Sequence, residues 1–238
     1  MAEAKKSNQP IVIVGGFMSA ARDYRSWQTR LEAPPYNRKV FVANINRLDW
    51  VSTADQNFRP QLLAVGAMVQ TAIHITGAEK VTLVCHSAGG RISRLWLGDQ
   101  SYGGVECNGR RFVKKIIFLG SPYLTREPWA QRSAGFANKH YPGAYYAEIE
   151  YISVVGRSVF AKPGGSIEER FAYQNYRQQF PRHPQQWGDG VVPVEGAFVP
   201  GATNGVLDGI YHGSFLGKPG YENPKALAQW GKYLLENS

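Results

Sequence analysis

The sequence has little cysteine and no long apolar run. Its 238 residues include two cysteines, Cys85 and Cys107, which are too few for a disulfide framework and favour a reducing compartment. No apolar segment reaches the roughly 20 residues that a membrane-spanning helix needs. The first ten residues, MAEAKKSNQP, lack the apolar stretch of a secretory signal. We therefore expect a cytoplasmic protein, or one of an organelle lumen or stroma if a transit peptide was trimmed.

The sequence also lacks the common motifs for bound metals and nucleotides. There is no His/Cys cluster with the spacing of a zinc site, no P-loop, and no G-x-G-x-x-G after a predicted strand. We therefore expect neither a metal ion nor an organic cofactor.

Acidic residues are the minority among the charged side chains. The chain has 27 Lys and Arg against 18 Asp and Glu, for a net charge of +9, which favours acidic partners. The densest basic cluster, NGRRFVKK at 108–115, leads into an apolar strand, which favours a solvated loop over a binding patch. No nucleic-acid-binding module is recognisable, so we predict no nucleic-acid partner. Weak attraction to an anionic membrane surface stays open.

Apolar residues are plentiful, at 43%, and their spacing alternates along the chain. The runs PIVIV (10–14) and KVTLVC (80–85) are typical of buried parallel strands, and RPQLLAVGAMVQTAIHITG (59–77) has helical spacing. Further strands are predicted at 39–45, 112–122 and 148–156, and further helices after Ser87 and from Asn223. This alternation predicts an α/β fold in one domain over 1–238, with a mostly parallel central sheet and helices on both faces.

Two long segments interrupt the alternation, at 122–147 and 157–188. The first is rich in aromatic residues, and the second contains a predicted capping box from Ser166 to Glu169. Insertions of this length are often lids or substrate-binding loops, and their aromatic residues can equally pack a satellite core. Both interpretations stay open from the sequence.

Ser87 lies within VTLVCHSAGGRIS (81–93), between a predicted strand and a predicted helix. A serine nucleophile needs a tight turn, a histidine oriented by a carboxylate, and backbone N–H groups that face the oxyanion. The segment CHSAG matches the G-x-S-x-G nucleophile elbow, except that Cys85 occupies the first glycine position. Gly89 and Gly90 have no side chains, so they leave room for neighbouring backbone at the start of the predicted helix. In this context the pattern favours a nucleophile over an ordinary loop serine.

At this point the sequence resembles the α/β-hydrolase superfamily, and within it the lipase and esterase branch, from Ile11 to about Phe215. The motifs are similar to those of triacylglycerol-lipase-like and GPI-inositol-deacylase-like members. The resemblance implies an α/β-hydrolase fold with lid-like insertions. It also implies that the acid and then the histidine follow Ser87 along the chain.

The resemblance places the acid at Asp189, in WGDGVVPVEGA, and the base at His212, in LDGIYHGSFL. Asp208 competes for the acid role, although it lies only four residues before His212 and outside the Asp-Gly-x-Val-Pro pattern. The remaining histidines fall in a predicted helix, next to the serine, or in the insertions: His74, His86, His140 and His183.

The same resemblance assigns the oxyanion hole. The oxyanion donors would be the backbone N–H groups of Ala88 and Phe17, with Met18 as the alternative to Phe17. Predicted substrate-binding residues are Met18, His86, Trp129 and Tyr123. His86 also resembles the histidine that often precedes the elbow serine for structural reasons.

These residues together predict a serine carboxylic-ester hydrolase that forms an acyl-enzyme on esters with an apolar acyl group. One alternative is an acyltransferase that uses the same triad. Another is a non-catalytic receptor or scaffold with a hydrolase fold, and a third is a basic surface-binding module.

Overall fold

A parallel sheet of six strands forms the centre of the computed structural model, which describes residues 9–53, 55–214 and 217–235, without the side chain of Trp129. The strands are β1 (Ile11–Val14), β2 (Val40–Val42), β3 (Val81–His86), β4 (Val113–Leu119), β5 (Glu150–Arg157), β6 (Val159–Phe160), β7 (Trp187–Gly188) and β8 (Thr203–Asp208). The main sheet has the order β2-β1-β3-β4-β5-β8, and each neighbouring pair is parallel. Strands β6 and β7 form a separate antiparallel ribbon.

Helices cover both faces of the sheet, as the sequence predicts. They are α1 (Arg25–Glu32), α2 (Arg47–Ser52), α3 (Arg59–Thr76), α4 (Ala88–Leu97), α5 (Pro128–His140), α6 (Ile167–Gln179), α7 (Val194–Ala197), α8 (Pro224–Trp230) and α9 (Lys232–Leu235). Val12 and Val14 of β1 join a core cluster with α3 and α4. Ile11 and Ile13, which point to the opposite face, join a cluster with α1 and α8. The continuous apolar character of β1 follows from this burial on both faces.

The sequence pattern does not predict strand β8. Its sequence, TNGVLD, has two apolar residues, and the strand pairs only with β5 at the edge of the sheet. An edge strand with one exposed side needs no continuous apolar run, so its signal in the sequence is weak.

The two insertions contain regular structure that partly packs into the protein. The first holds α5, and the second holds β6, α6 and β7. Tyr141 and Tyr146 are buried in the core cluster on the α3 side, and Tyr176 is buried in a small cluster with Val159 and Ala172. These contacts favour the packing interpretation for those three tyrosines.

Helix α6 begins as the capping box predicts. The hydroxyl of Ser166 accepts the N–H of Glu169 at 3.2 Å, and the Glu169 carboxylate accepts the N–H of Ser166 at 2.7 Å. No helix within the described ranges is both long and apolar enough to cross a bilayer.

Candidate active site

Ser87 sits at a sharp turn between β3 and α4. Its backbone has φ 53° and ψ −127°, a region that strongly favours glycine, so the turn is strained by about 1–3 kcal/mol. Neighbouring backbone packs closely against this turn. A Cβ added at Gly89 would lie only 2.2 Å from the carbonyl oxygen of Val14. The first turn of α4 therefore rests directly on the carboxyl end of β1, where ligands bind in parallel sheets.

Cys85, in the place of the usual glycine, is accommodated within the strand. Its thiol is buried and donates to the Ser93 hydroxyl at 3.0 Å, and its carbonyl accepts from the Ser121 hydroxyl at 3.1 Å. Burial raises the pKa of the Cys85 thiol to about 12, so the sulfur stays protonated at neutral pH. Cysteine fills this position as a small packed side chain, and the turn forms around it.

The fold brings Ser87, His212 and Asp189 into one hydrogen-bonded chain. His212 Nε2 lies 2.9 Å from Ser87 Oγ, and His212 Nδ1 lies 2.8 Å from Asp189 Oδ2. The competing carboxylate, Asp208, is exposed and binds Arg157 through two contacts of 2.5 and 3.0 Å. Of the two acids that the sequence offers, the structure therefore places Asp189 beside His212.

Asp189 is held as a buried carboxylate with four hydrogen bonds. It is 1% exposed, and its Oδ1 accepts the N–H groups of Val191 and Val192 at 2.9 and 2.7 Å. Its Oδ2 accepts from His212 and from the Tyr221 hydroxyl, the latter at 2.7 Å. Burial alone raises the pKa of Asp189, but the charge of His212 and these hydrogen bonds outweigh burial and leave the pKa lowered. The carboxylate is therefore ionised at neutral pH and can orient the imidazole.

Tyr221 is a site residue that the sequence analysis missed. Its hydroxyl donates to Asp189 and accepts the N–H of Gly156 at 2.9 Å, so it ties the acid to the end of β5. Burial and the charge of Asp189 raise the pKa of Tyr221 well above its usual value. No local motif marks this tyrosine, because its contact with Asp189 is created by the fold.

A second missed tyrosine, Tyr24, links His86 to the loop after β1. The Tyr24 hydroxyl accepts the N–H of Gly16 at 2.8 Å and lies 2.9 Å from His86 Nδ1. His86 Nε2 lies 2.8 Å from the carbonyl oxygen of His212. A carbonyl oxygen can only accept, which assigns the proton to Nε2 and makes Nδ1 the acceptor for Tyr24. Protein groups engage both ring nitrogens, which favours the structural interpretation of His86 over substrate binding.

His86 is expected to make folding stability depend on pH. Enclosure of the ring, and then the charge of His212, lower the pKa of His86 from 6.5 to about 3. Between those values the unfolded chain binds a proton here that the folded chain does not. Stability therefore falls as pH drops through this window, by at most about 1.4 kcal/mol per pH unit. We expect the free energy of unfolding, measured by urea at several pH values from 4.5 to 7, to change less steeply with pH in His86→Gln than in wild type.

The control for this experiment is His74→Gln, at an exposed position on α3. In this variant the free energy of unfolding should change with pH as it does in wild type. The same pH dependence of the free energy of unfolding in wild type and His86→Gln would contradict the assignment of His86 as a neutral side chain that is hydrogen-bonded within the protein.

The loop that contains Gly16, Phe17 and Met18 passes directly beside Ser87. A Cβ added at Gly16 would lie 2.8 Å from Ser87 Cβ and 3.4 Å from its Oγ. Ala88 is the first residue of α4, and N–H groups in the first turn of a helix have no acceptor within the helix. Gly16 and Ala88 thus flank the serine from two sides, and Phe17 follows Gly16 in the loop. The oxyanion hole formed by the N–H groups of Phe17 and Ala88 stays a prediction.

The remaining predicted substrate-binding residues have different surroundings. Met18 is 39% exposed and has φ 57°. The Tyr123 hydroxyl accepts the N–H of Gly143 at 2.9 Å, and its ring lies 4.6 Å from the guanidinium carbon of Arg94. These contacts hold Tyr123 within the packed insertion. The side chain of Trp129 lies outside the described residues.

Glu127, at the start of α5, is a buried carboxyl near the site. Burial raises its pKa, while the positive charges of Arg91 and His212 act in the opposite direction. The first insertion therefore brings an acidic group within electrostatic range of His212. Across the described residues, no group of three or more His, Cys, Asp or Glu side chains is arranged to hold a metal ion.

Comparison with known proteins identifies the fold. No family model and no curated protein matches the sequence. Among solved structures, the mature lipase BlEst2 of Bacillus licheniformis aligns over 97% of this chain and 93% of its own, with a TM-score of 0.61 and 18% identity. A structure of the metagenome-derived lipolytic enzymes LipS and LipT aligns over 96% of this chain and 94% of its own, with a TM-score of 0.57 and 10% identity.

A gene product of Listeria innocua aligns over 97% of this chain and 95% of its own, with a TM-score of 0.54 and 13% identity. At such identities the similarity concerns the fold. The predicted α/β-hydrolase fold is confirmed, since the parallel sheet of six strands with helices on both faces matches these structures over nearly the whole chain.

Proposed function

We propose that the protein is a serine carboxylic-ester hydrolase in which Ser87 is the nucleophile, His212 the general base and Asp189 the orienting acid. The observation that carries the proposal is the unbroken chain from Ser87 Oγ through the His212 ring to Asp189, with steps of 2.9 and 2.8 Å. The strained turn at Ser87 and the ionised, buried Asp189 support it. Structures with the same fold include a lipase and lipolytic enzymes, which supports an ester as the target bond.

The proposed reaction has two steps. Ser87 Oγ attacks the ester carbonyl while His212 Nε2 takes its proton, and the N–H groups of Phe17 and Ala88 bind the oxyanion. The tetrahedral intermediate collapses, His212 protonates the departing alcohol, and an acyl group stays on Ser87. Water then attacks the acyl-enzyme with His212 as the base, which releases the carboxylic acid and restores the serine. Each oxyanion donor contributes about 10²–10³ in rate.

Exposed apolar side chains on the loop beside Ser87 and on helix α2 support an apolar acyl group. Phe17 is 50% exposed, and its ring packs edge-on against Trp50 of α2 at 5.6 Å. Leu48 and Val51, also on α2, are exposed, as is Met18. We propose that the acyl chain contacts this apolar surface, with Met18 as one of its contacts.

The test is a series of p-nitrophenyl esters from acetate to palmitate, combined with fluorophosphonate labelling and mapping of the adduct by mass spectrometry. We expect turnover, a chain-length optimum, and a single adduct on Ser87. An adduct on another residue, or neither labelling nor turnover across the series, would refute the proposal. Preferential transfer to an added alcohol would instead favour the acyltransferase alternative.

A further inference from the structure

One carboxylate oxygen of the site accepts hydrogen bonds from two side chains. Asp189 Oδ2 lies 2.8 Å from His212 Nδ1 and 2.7 Å from the Tyr221 hydroxyl oxygen. The N–H of Gly156 donates to the same hydroxyl at 2.9 Å. Because an N–H can only donate and an ionised carboxylate can only accept, the proton of the Tyr221 hydroxyl points to Asp189. Tyr221 and His212 therefore donate to one and the same oxygen atom.

The Tyr221 hydroxyl is fixed in place by its surroundings. The residue is fully buried, and its carbonyl oxygen accepts the indole N–H of Trp230 at 2.9 Å, while Gly156 of β5 holds the hydroxyl. Gly120, which follows β4 and has φ 54°, leaves room for the contact. A Cβ added there would lie 2.6 Å from both Asp189 Oδ2 and the Tyr221 hydroxyl oxygen. The ends of two central strands thus set the geometry of this hydrogen bond.

The loop that carries His212 is bound to Asp189 at two points. The backbone N–H of His212 donates to the Asp189 carbonyl oxygen at 2.9 Å, and Tyr221 binds the carboxylate at the other end of the loop. Within the loop, the N–H of Tyr211 donates to the carbonyl oxygen of Pro219 at 2.9 Å. Tyr221 therefore affects both where the imidazole lies and how much charge it meets.

A second donor on Asp189 Oδ2 weakens what that oxygen offers to the imidazole. A hydrogen bond to an ionised carboxylate stabilises the charge locally and leaves less of it to stabilise an imidazolium. Without the Tyr221 hydroxyl, Oδ2 would be a stronger acceptor and would favour the protonated form of His212. A general base that is already protonated cannot accept a proton, so activity would be lost at a higher pH.

We propose that Tyr221 is a positioning residue that tunes the basicity of His212 through the shared oxygen atom of Asp189. This inference rests on the proposed function, in which His212 takes the proton of Ser87. Tyr221 acts through Asp189 and His212, and it is not itself a catalytic residue.

Other charged or titratable side chains surround the same pair, on several elements. They are His86 at the end of β3, Tyr24 behind it, Glu127 before α5, Tyr176 on α6, Lys218 in the loop and Glu222 before α8. The His86 ring lies 4.9 Å from the His212 ring, and burial lowers the pKa of His86 to about 3. Burial raises the pKa of Glu127. A substitution at Tyr221 leaves all of these groups in place, so a comparison with wild type isolates the hydroxyl.

The first test is Tyr221→Phe, which removes a single oxygen atom. The low-field NMR signal of the His212 Nδ1 proton, recorded at a pH where the ring is neutral, should move further downfield because Oδ2 becomes a stronger acceptor. The acid limb of the pH profile of kcat/KM for p-nitrophenyl butyrate should move to higher pH, by about half a unit or more.

Tyr176→Phe is the matched control. Tyr176 is also fully buried, and its hydroxyl accepts the N–H of Gly190 at 2.8 Å, directly after Asp189 in the chain. Among the described residues, the carboxylate of Asp189 has no hydrogen bond to Tyr176. The control variant should therefore lose stability as a buried hydroxyl is removed, while the NMR signal and the acid limb stay as in wild type.

A second variant tests the same hydrogen bond with the opposite sign. Tyr221→3-fluorotyrosine, introduced by amber suppression, keeps both hydrogen bonds of the hydroxyl and makes it a stronger donor to Asp189. The acid limb should move to lower pH, and the His212 Nδ1 proton signal should move upfield. This variant also serves if Tyr221→Phe does not fold, since the phenylalanine leaves the buried N–H of Gly156 without its acceptor.

An unchanged NMR signal and acid limb in the Tyr221 variants, or equal shifts in Tyr221→Phe and Tyr176→Phe, overturn the proposal. The NMR comparison needs no turnover. If wild type neither hydrolyses esters nor reacts with the fluorophosphonate, the proposed function fails, and the NMR signal still decides whether Tyr221 acts on His212 through Asp189.

Discussion

Ser87→Ala is expected to lower kcat/KM for p-nitrophenyl ester hydrolysis by about 10⁴–10⁶ and to abolish fluorophosphonate labelling. The reason is that the Ser87 hydroxyl is the group that His212 Nε2 contacts, and alanine removes both the nucleophile and that hydrogen bond. The fold should be retained, since the substitution deletes one oxygen atom from the turn.

The proposed triad also predicts strong non-additivity. His212→Ala alone should cost about as much activity as Ser87→Ala, and the double variant should be no slower than either single variant, because the two side chains act in one step. Asp189→Asn should lower kcat by about 10⁴, since an amide that donates to Nδ1 would favour the wrong imidazole tautomer.

The matched control is Ser93→Ala, a buried serine on the same helix that bonds with Cys85 and should keep activity within about threefold of wild type. If Ser87→Ala retained wild-type turnover, or if the losses in the double variant simply multiplied, the triad assignment would be wrong.

Gly89→Ala is expected to destabilise the protein by roughly 3 kcal/mol or more. Helix propensity alone favours alanine over glycine by about 1 kcal/mol, so the sequence pattern suggests a stabilising change. The structure reverses the sign, because the new Cβ would lie 2.2 Å from the Val14 carbonyl oxygen and 2.7 Å from that of Gly15. Both contacts are with backbone, so either α4 or the loop beside Ser87 must shift. Activity should fall together with stability.

Gly135→Ala, on α5, provides the comparison. A Cβ at Gly135 meets nothing within 4 Å, so alanine there should raise the free energy of unfolding by up to about 1 kcal/mol. Urea unfolding of both variants measures the contrast. Changes of the same sign at Gly89 and Gly135 would refute the close approach of α4 to β1.

The central strands and the turn at Ser87 could be predicted from the sequence because their signals are local. Strands β1 and β3 are continuous apolar runs, and helix α3 shows its period directly, from Arg59 to the stop at Gly77. The elbow follows from small residues at fixed spacing around Ser87. Strand β8 could not be predicted in this way, because its position at the edge leaves its apolar pattern weak.

The sequence by itself determined the class of fold, because apolar periodicity and turn residues are local patterns of neighbouring positions. The resemblance to the α/β-hydrolase superfamily implied the order in which Ser87, Asp189 and His212 occur. Their catalytic roles stay a prediction. Only the tertiary structure decided which carboxylate reaches His212, because the binding of Asp208 to Arg157 and the burial of Asp189 depend on strands paired across the sheet. It also decided the parts played by Tyr24 and Tyr221, whose partners His86 and Asp189 lie 62 and 32 residues away in the chain. Hydrogen bonds over such separations are formed by packing, which no local pattern encodes.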